Sequence, residues 1–183
     1  MENIRLFISI PVDPGLTKSI FKQFEGLNLP WEKMKAAKFD QLHLTLKFLG
    51  ETPLEKLPAF IEALQDIDTQ INDLELHISG PQIYNEKRPQ VLVLKVEEND
   101  KLKQLYQDVE QALFDAGLAH MDKRKFSAHL TLARVKTSAS FDEFADFSNW
   151  KFKANFVVSH FELQQSELER TGPTYTALQT FDL

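Results

Sequence analysis

Two stretches decide the fold: Leu42-His43-Leu44-Thr45-Leu46-Lys47-Phe48-Leu49-Gly50 and Phe126-Ser127-Ala128-His129-Leu130-Thr131-Leu132-Ala133-Arg134. Each carries the tetrad His-Leu-Thr-Leu, and the two copies lie nearly half a chain apart. Side chains of a strand alternate between its faces, so residues i and i+2 point the same way. At the usual rise their Cα atoms are ~6.5–7 Å apart. His43 and Thr45 are therefore expected on one face, with Leu44, Leu46 and Phe48 on the other. His129 and Thr131 share a face in the same way, backed by Leu130 and Leu132. The leucines anchor each strand in a core and leave the polar pair facing a cleft. By the same alternation Arg134 falls on the face opposite His129, unless a bulge or the strand end turns it inward.

Around these motifs the chain reads as alternating strands and helices. Arg5–Ile10 is a β-type run stopped by Pro11 and Pro14. Leu16, Ile20, Phe21 and Phe24 recur at helical spacing, closed by Gly26 and Pro30. The first motif strand runs from Leu42 to Leu49, punctuated by Gly50 and Pro53. Leu54–Ile67 reads as a helix, and Leu74–Tyr84 and Gln90–Val96 as strands. Asn99 or Asp100 caps a helix with the stripe Leu102, Leu105, Val109, Ala112 and Leu113, stopped by Gly117. Phe126–Val135 is the second motif strand. Phe141–Phe147 is a short segment, Phe152–Leu168 holds one long or two shorter strands, and Tyr175–Phe181 is the last. The order repeats between halves, which suggests a duplicated unit. A solenoid is excluded, because it repeats at roughly 20–50 residues and needs three or more copies.

Composition narrows the function. The 183 residues fit one domain, 1–183, and no Pro/Ser/Gly linker divides them. Apolar residues at 43% and charged residues at 26% are those of a globular protein, and fifteen phenylalanines supply core. The chain has no cysteine, so disulfides, thiolate nucleophiles and cysteine metal sites are excluded. The N-terminal residues lack the pattern of a signal peptide, and no apolar run approaches the ~20 residues of a membrane span. A cytoplasmic protein without membrane contact is expected. A net charge of −6 argues against coating nucleic acid through bulk electrostatics, but not against gripping one phosphate. Two basic clusters, Lys33/Lys35/Lys38 and Lys123/Arg124/Lys125, each precede a motif. Taken singly, such clusters are usually solvated loops.

Two motif strands set side by side would gather two imidazoles and two hydroxyls around one point. That set suits in-line attack at a phosphodiester. One neutral histidine takes a proton from water, and one protonated histidine gives a proton to the leaving oxygen. An unperturbed pKa of ~6.5 populates both forms near neutrality. The threonine hydroxyls donate to the non-bridging oxygens, where charge develops. Neither motif contains a carboxylate, and no His-Glu-x-x-His segment occurs, so chemistry without a metal or other cofactor is expected. A single His-x-Thr on a strand carries little information; the matched pair is what points to function. His77, His120 and His160 lack this context and read as exposed and non-catalytic.

The paired blocks resemble the 2H phosphoesterase superfamily, and within it the RNA 2′,3′-cyclic phosphodiesterase (2′-5′ RNA ligase-like) family. The likeness spans nearly the whole chain, including Arg5-Leu6-Phe7 near its start and Gly172-Pro173-Thr174-Tyr175 and Leu178 near its end. It implies an α+β, bilobal, duplicated fold with two antiparallel sheets facing a central cleft and helices outside. It implies hydrolysis of an RNA terminal 2′,3′-cyclic phosphate to a 2′-phosphate, with His43 as proton donor and His129 as proton acceptor. Thr45 and Thr131 would hold the phosphate, and Arg134 would contact it, with a surface or salt-bridge role as the alternative. Phe7 and Tyr175 would stack on a base, with core packing the reading preferred for Phe7. The partner implied is an RNA 3′ end or oligonucleotide bearing the cyclic phosphate, with no obligate protein partner and a monomeric state. Alternatives are 2′-5′ RNA ligation, hydrolysis of 2′-5′-linked oligonucleotides, and a nucleotide-binding module without turnover. The chain departs from the family pattern at Ala128, where proline is frequent, and at Ala37-Lys38-Phe39-Asp40 before the first motif.

Overall fold

The computed structural model describes residues 2–67, 71, 74–169 (the side chain of 169 excepted) and 172–183. Nine strands are described: β1 (Asn3–Pro11), β2 (Met34–Ala36), β3 (His43–Pro53), β4 (Leu74–Tyr84), β5 (Val91–Val96), β6 (His129–Val135), β7 (Ala154–Val158), β8 (His160–Glu169) and β9 (Gly172–Asp182). Four α-helices accompany them: α1 (Pro14–Glu25), α2 (Leu57–Gln65), α3 (Asp100–Asp115) and the single turn α4 (Ala145–Asn149). The α+β class is as expected.

Every strand pairing is antiparallel, in the order β7-β4-β5-β6-β3-β1-β8-β9, with β2 beside the far end of β6. The two sheets expected from the resemblance are thus joined into one ladder. The junction is narrow: β3 and β6 are in register only at Leu44 opposite Leu130. Outward from it, β1–α1–β3 on one side answers β5–α3–β6 on the other.

Local chemistry explains the elements. Asp13 caps α1 by accepting from Leu16 N at 2.9 Å, and Pro14 occupies the first turn, where its missing N–H costs nothing. Pro14 therefore starts the helix as much as it ends the strand. Asn99 caps α3 by accepting from Leu102 N at 2.8 Å. The stripes of both helices are buried: Ile20, Phe21 and Phe24 in α1, and Leu102, Leu105, Val109 and Leu113 in α3.

Strand β3 runs beyond its expected end. Gly50 takes a φ of +73°, which a glycine adopts without steric cost, and the pairing with β1 slips there from Leu6–Gly50 to Phe7–Phe48. The resulting bulge lets the strand continue to Pro53.

A second bulge corrects the expected alternation. Ile8 pairs with Lys47 but Ser9 pairs with Thr45, so Leu46 is the extra residue. Leu46 and Lys47 are both buried, and Phe48 emerges 66% exposed on the histidine side rather than behind it. Strand β6 repeats the device: Leu92 pairs with Ala133 and Val93 with Thr131, leaving Leu132 as the extra residue. Leu132 and Ala133 are buried, and Arg134 comes round to the face of His129.

Lys47 turns into the core at 3% exposure and forms an ion pair with Glu110 of α3. Its Nζ also donates to His120 O at 3.0 Å and lies 3.3 Å from Asp122 Oδ1. Helix α3 therefore covers the side of the sheet away from the histidines.

Candidate active site

The Leu44–Leu130 register carries the site. Antiparallel continuation sets His43 across from Thr131 and Thr45 across from His129, all four on the face opposite the leucines. The two histidines are then diagonal neighbours, a separation of roughly 7–8 Å in such ladders. Both imidazoles and both threonines are half-buried, so the group is open on one side.

Each histidine is fixed by the same bond. The Nδ1 of His43 lies 2.8 Å from Gln41 O, and the Nδ1 of His129 lies 2.7 Å from Ser127 O. A carbonyl only accepts, so Nδ1 carries the proton in each ring and Nε2 is left for the cleft. Burial lowers the pKa of His43 below 6.5, against the raising effect of the Gln41 carbonyl; the His129 charge lowers it further. Burial likewise lowers that of His129, against the Ser127 carbonyl, and the nearby Arg134 guanidinium adds to the lowering.

Aromatic rings brace both histidines. Phe7 and Tyr175 stand 5.0 Å and 5.1 Å from the His43 ring, and 5.0 Å from each other. Phe7 is only 3% exposed. Its ring backs the imidazole and has almost no surface left for a base, in keeping with core packing rather than stacking. Tyr175 is half-buried and keeps an open edge. Burial raises its phenol pKa, while Arg134 and Arg5 oppose that shift, so both cations lie within its field. Beside the second motif, the ring of Tyr84 at the end of β4 stands 5.2 Å from His129, and its hydroxyl 3.3 Å from Ser127 Oγ. Sequence reading missed Tyr84, because a contact between β4 and β6 leaves no local pattern.

The basic clusters separate. Lys35 is paired opposite Arg134 on β2, and Lys38 Nζ donates to Thr174 Oγ1 at 3.2 Å, next to Tyr175. Lys33 is engaged by Glu143 instead. Lys123, Arg124 and Lys125 are exposed on the loop before β6. Of the other histidines, His120 is exposed as expected. His77 is half-buried and bonded to Asn155 at 2.8 Å. His160 is also half-buried, and it lines a cavity shared with His43. Among the described residues no three carboxylates or imidazoles converge to hold a metal ion. Among them, too, no helix is long and apolar enough to cross a membrane.

Two locked imidazoles, two hydroxyls and an arginine on one open face, carried by a paired-motif antiparallel sheet, define a two-histidine phosphoesterase. Comparison with known proteins agrees. The profile of the 2′-5′ RNA ligase superfamily matches residues 21–170, and the chain belongs to that family. An Archaeoglobus fulgidus protein named RNA 2′,3′-cyclic phosphodiesterase is 32% identical, covering 98% of this chain and 100% of its own. A Thermus thermophilus protein of the same name is also 32% identical, over 98% and 90%. The crystal structure of a Thermus thermophilus protein superposes with a TM-score of 0.79 at 27% identity, covering 98% of each chain. E. coli LigT in apo form shares the fold, with a TM-score of 0.76 at 23% identity over 100% and 99%.

Proposed function

We propose that the protein hydrolyses the terminal 2′,3′-cyclic phosphate of RNA to a 2′-phosphate. The observation that carries the reading is the crossed arrangement of His43 and His129, each held in the same tautomer by a backbone carbonyl. The names of the relatives support the substrate class.

In this reading His129 Nε2 takes a proton from water, whose oxygen attacks phosphorus. The P–O3′ bond breaks, and protonated His43 gives its Nε2 proton to O3′. The 2′-phosphate monoester leaves with His129 protonated and His43 neutral, and exchange with solvent restores the pair. Thr45, Thr131 and Arg134 donate to the non-bridging oxygens, where the transition state gathers charge. Proton transfer and charge neutralisation are both supplied by side chains, so the reaction is metal-independent. The protein acts as one domain of two related lobes, as a monomer in the cytoplasm.

The test is turnover of an oligonucleotide ending in a 2′,3′-cyclic phosphate, with EDTA present. Full activity with EDTA is expected, with a 2′-phosphate product. His43→Ala and His129→Ala should each lose about 10²–10⁴-fold in rate while still binding the oligonucleotide. Wild type that binds but never opens the ring would instead favour a binding module.

A further inference from the structure

We propose that the cavity beside His43 receives the base of the terminal nucleotide, and that Glu162 selects guanine there. This rests on the phosphodiesterase reading above. The leaving O3′ belongs to the terminal ribose, and His43 protonates it. The ribose and its base therefore lie on the His43 side of the phosphate, with the attacking water on the His129 side.

On that side the structure holds a cavity of about 510 Å³, bounded by His43, Tyr175, Glu162 and Gln164. Its volume is that of a small-ligand cleft, typically about 300–1,000 Å³. Its charge sorts the parts of a nucleotide. Asp13, Asp40 and Glu162 line it, so it repels phosphate and admits an uncharged ring. The cations Arg134 and Lys35 stand together on β6 and β2 and are not among the residues that line it.

The polar groups specify which ring. Glu162 is 15% exposed and faces the cavity between His160, at 3.6 Å, and the Gln164 amide, which donates to its Oε2. In the register of β1 with β8 it lies opposite Ser9, whose buried Oγ has no protein partner. A carboxylate calls for adjacent donors. Guanine presents N1–H and the N2 amino group side by side. Adenine and cytosine set a ring acceptor beside their amino group, and uracil flanks its single N–H with two carbonyls, so each opposes acceptor to acceptor. Bases at unstacked RNA ends are commonly read in this way, by edge hydrogen bonds and aromatic contact.

The experiment compares kcat/KM for the four nucleoside 2′,3′-cyclic phosphates. The wild type should favour guanosine over uridine by roughly tenfold or more, the discrimination a good bidentate pair gives. In Glu162→Gln, with its fold checked by circular dichroism, that ratio should fall toward one. Equal turnover of all four by the wild type, another preferred base, or a ratio unmoved in Glu162→Gln would overturn the base subsite and leave the phosphodiesterase reading standing. Turnover of the cyclic-phosphate oligonucleotide but of none of the four mononucleotides would overturn the base subsite alone, and failure on the oligonucleotide as well would remove both.

Discussion

Leu44 stands opposite Leu130 at the one point where β3 and β6 are in register, and both side chains are fully buried. That contact fixes which residues cross the junction, and so sets each histidine against the other motif's threonine. The site depends on a hydrophobic pair on the reverse of the sheet.

Truncating either leucine should therefore be costly. Leu44→Ala and Leu130→Ala are each expected to lose about 2–5 kcal/mol of stability, the range for buried leucines. The two side chains face each other, so the double variant should depart from additivity. Urea denaturation of the four proteins measures both. Losses under about 1 kcal/mol, well below that range, would mean that the junction is held elsewhere.

The bulges explain what the sequence concealed. Helix stripes and alternating strands were legible, because periodicity records which face is buried. The paired His-x-Thr motifs were legible for the same reason. Leu46-Lys47 and Leu132-Ala133 carry no such mark: a buried lysine reads as exposed, and an alanine reads as neutral. Only pairing with β1 and β5 reveals the extra residue that turns Phe48 and Arg134 to the front. Tyr84 and Glu162 were hidden differently, since each reaches a motif histidine or its cavity from a strand distant in sequence.

Arg134 now shares the face of His129, and its expected effect follows. Arg134→Ala should lower kcat/KM by roughly 10–100-fold, corresponding to one hydrogen bond with a charged partner. Arg134→Lys should recover only part of this, because an ammonium lacks the planar fork. Steady-state kinetics on a cyclic-phosphate oligonucleotide separate the three proteins. An alanine variant as fast as wild type would return Arg134 to a surface role.

Acidity should shape the rate in a definite direction. Burial lowers both histidine pKa values below 6.5 in the free protein. The base His129 is then neutral at lower pH, which moves the acid limb down. The acid His43 also loses its proton earlier, which moves the alkaline limb down. The bell-shaped profile of kcat/KM, which reports the free enzyme, should peak on the acid side of 6.5. A bound phosphate anion favours protonated His43, so the alkaline limb of kcat should lie higher. Profiles of both parameters from acid to mildly alkaline pH test this, and a kcat/KM optimum well above neutrality would contradict it.

The buried Lys47–Glu110 pair offers the last test, because it ties β3 to α3 on the side away from the chemistry. Glu110 also accepts from Asp122 N at 2.7 Å, so the same carboxylate holds the loop that leads into β6. Removing one partner leaves the other charged and desolvated. Lys47→Met alone should cost about 3–5 kcal/mol. Replacing both, in Lys47→Met/Glu110→Leu, exchanges a desolvated pair for apolar contact and should restore most of that stability. The loss of the Asp122 bond keeps the restoration incomplete, since that N–H must then turn to solvent. Urea midpoints for the two variants and wild type decide the matter. A double variant no more stable than Lys47→Met would show that the bond to Asp122, rather than the buried charge, dominates.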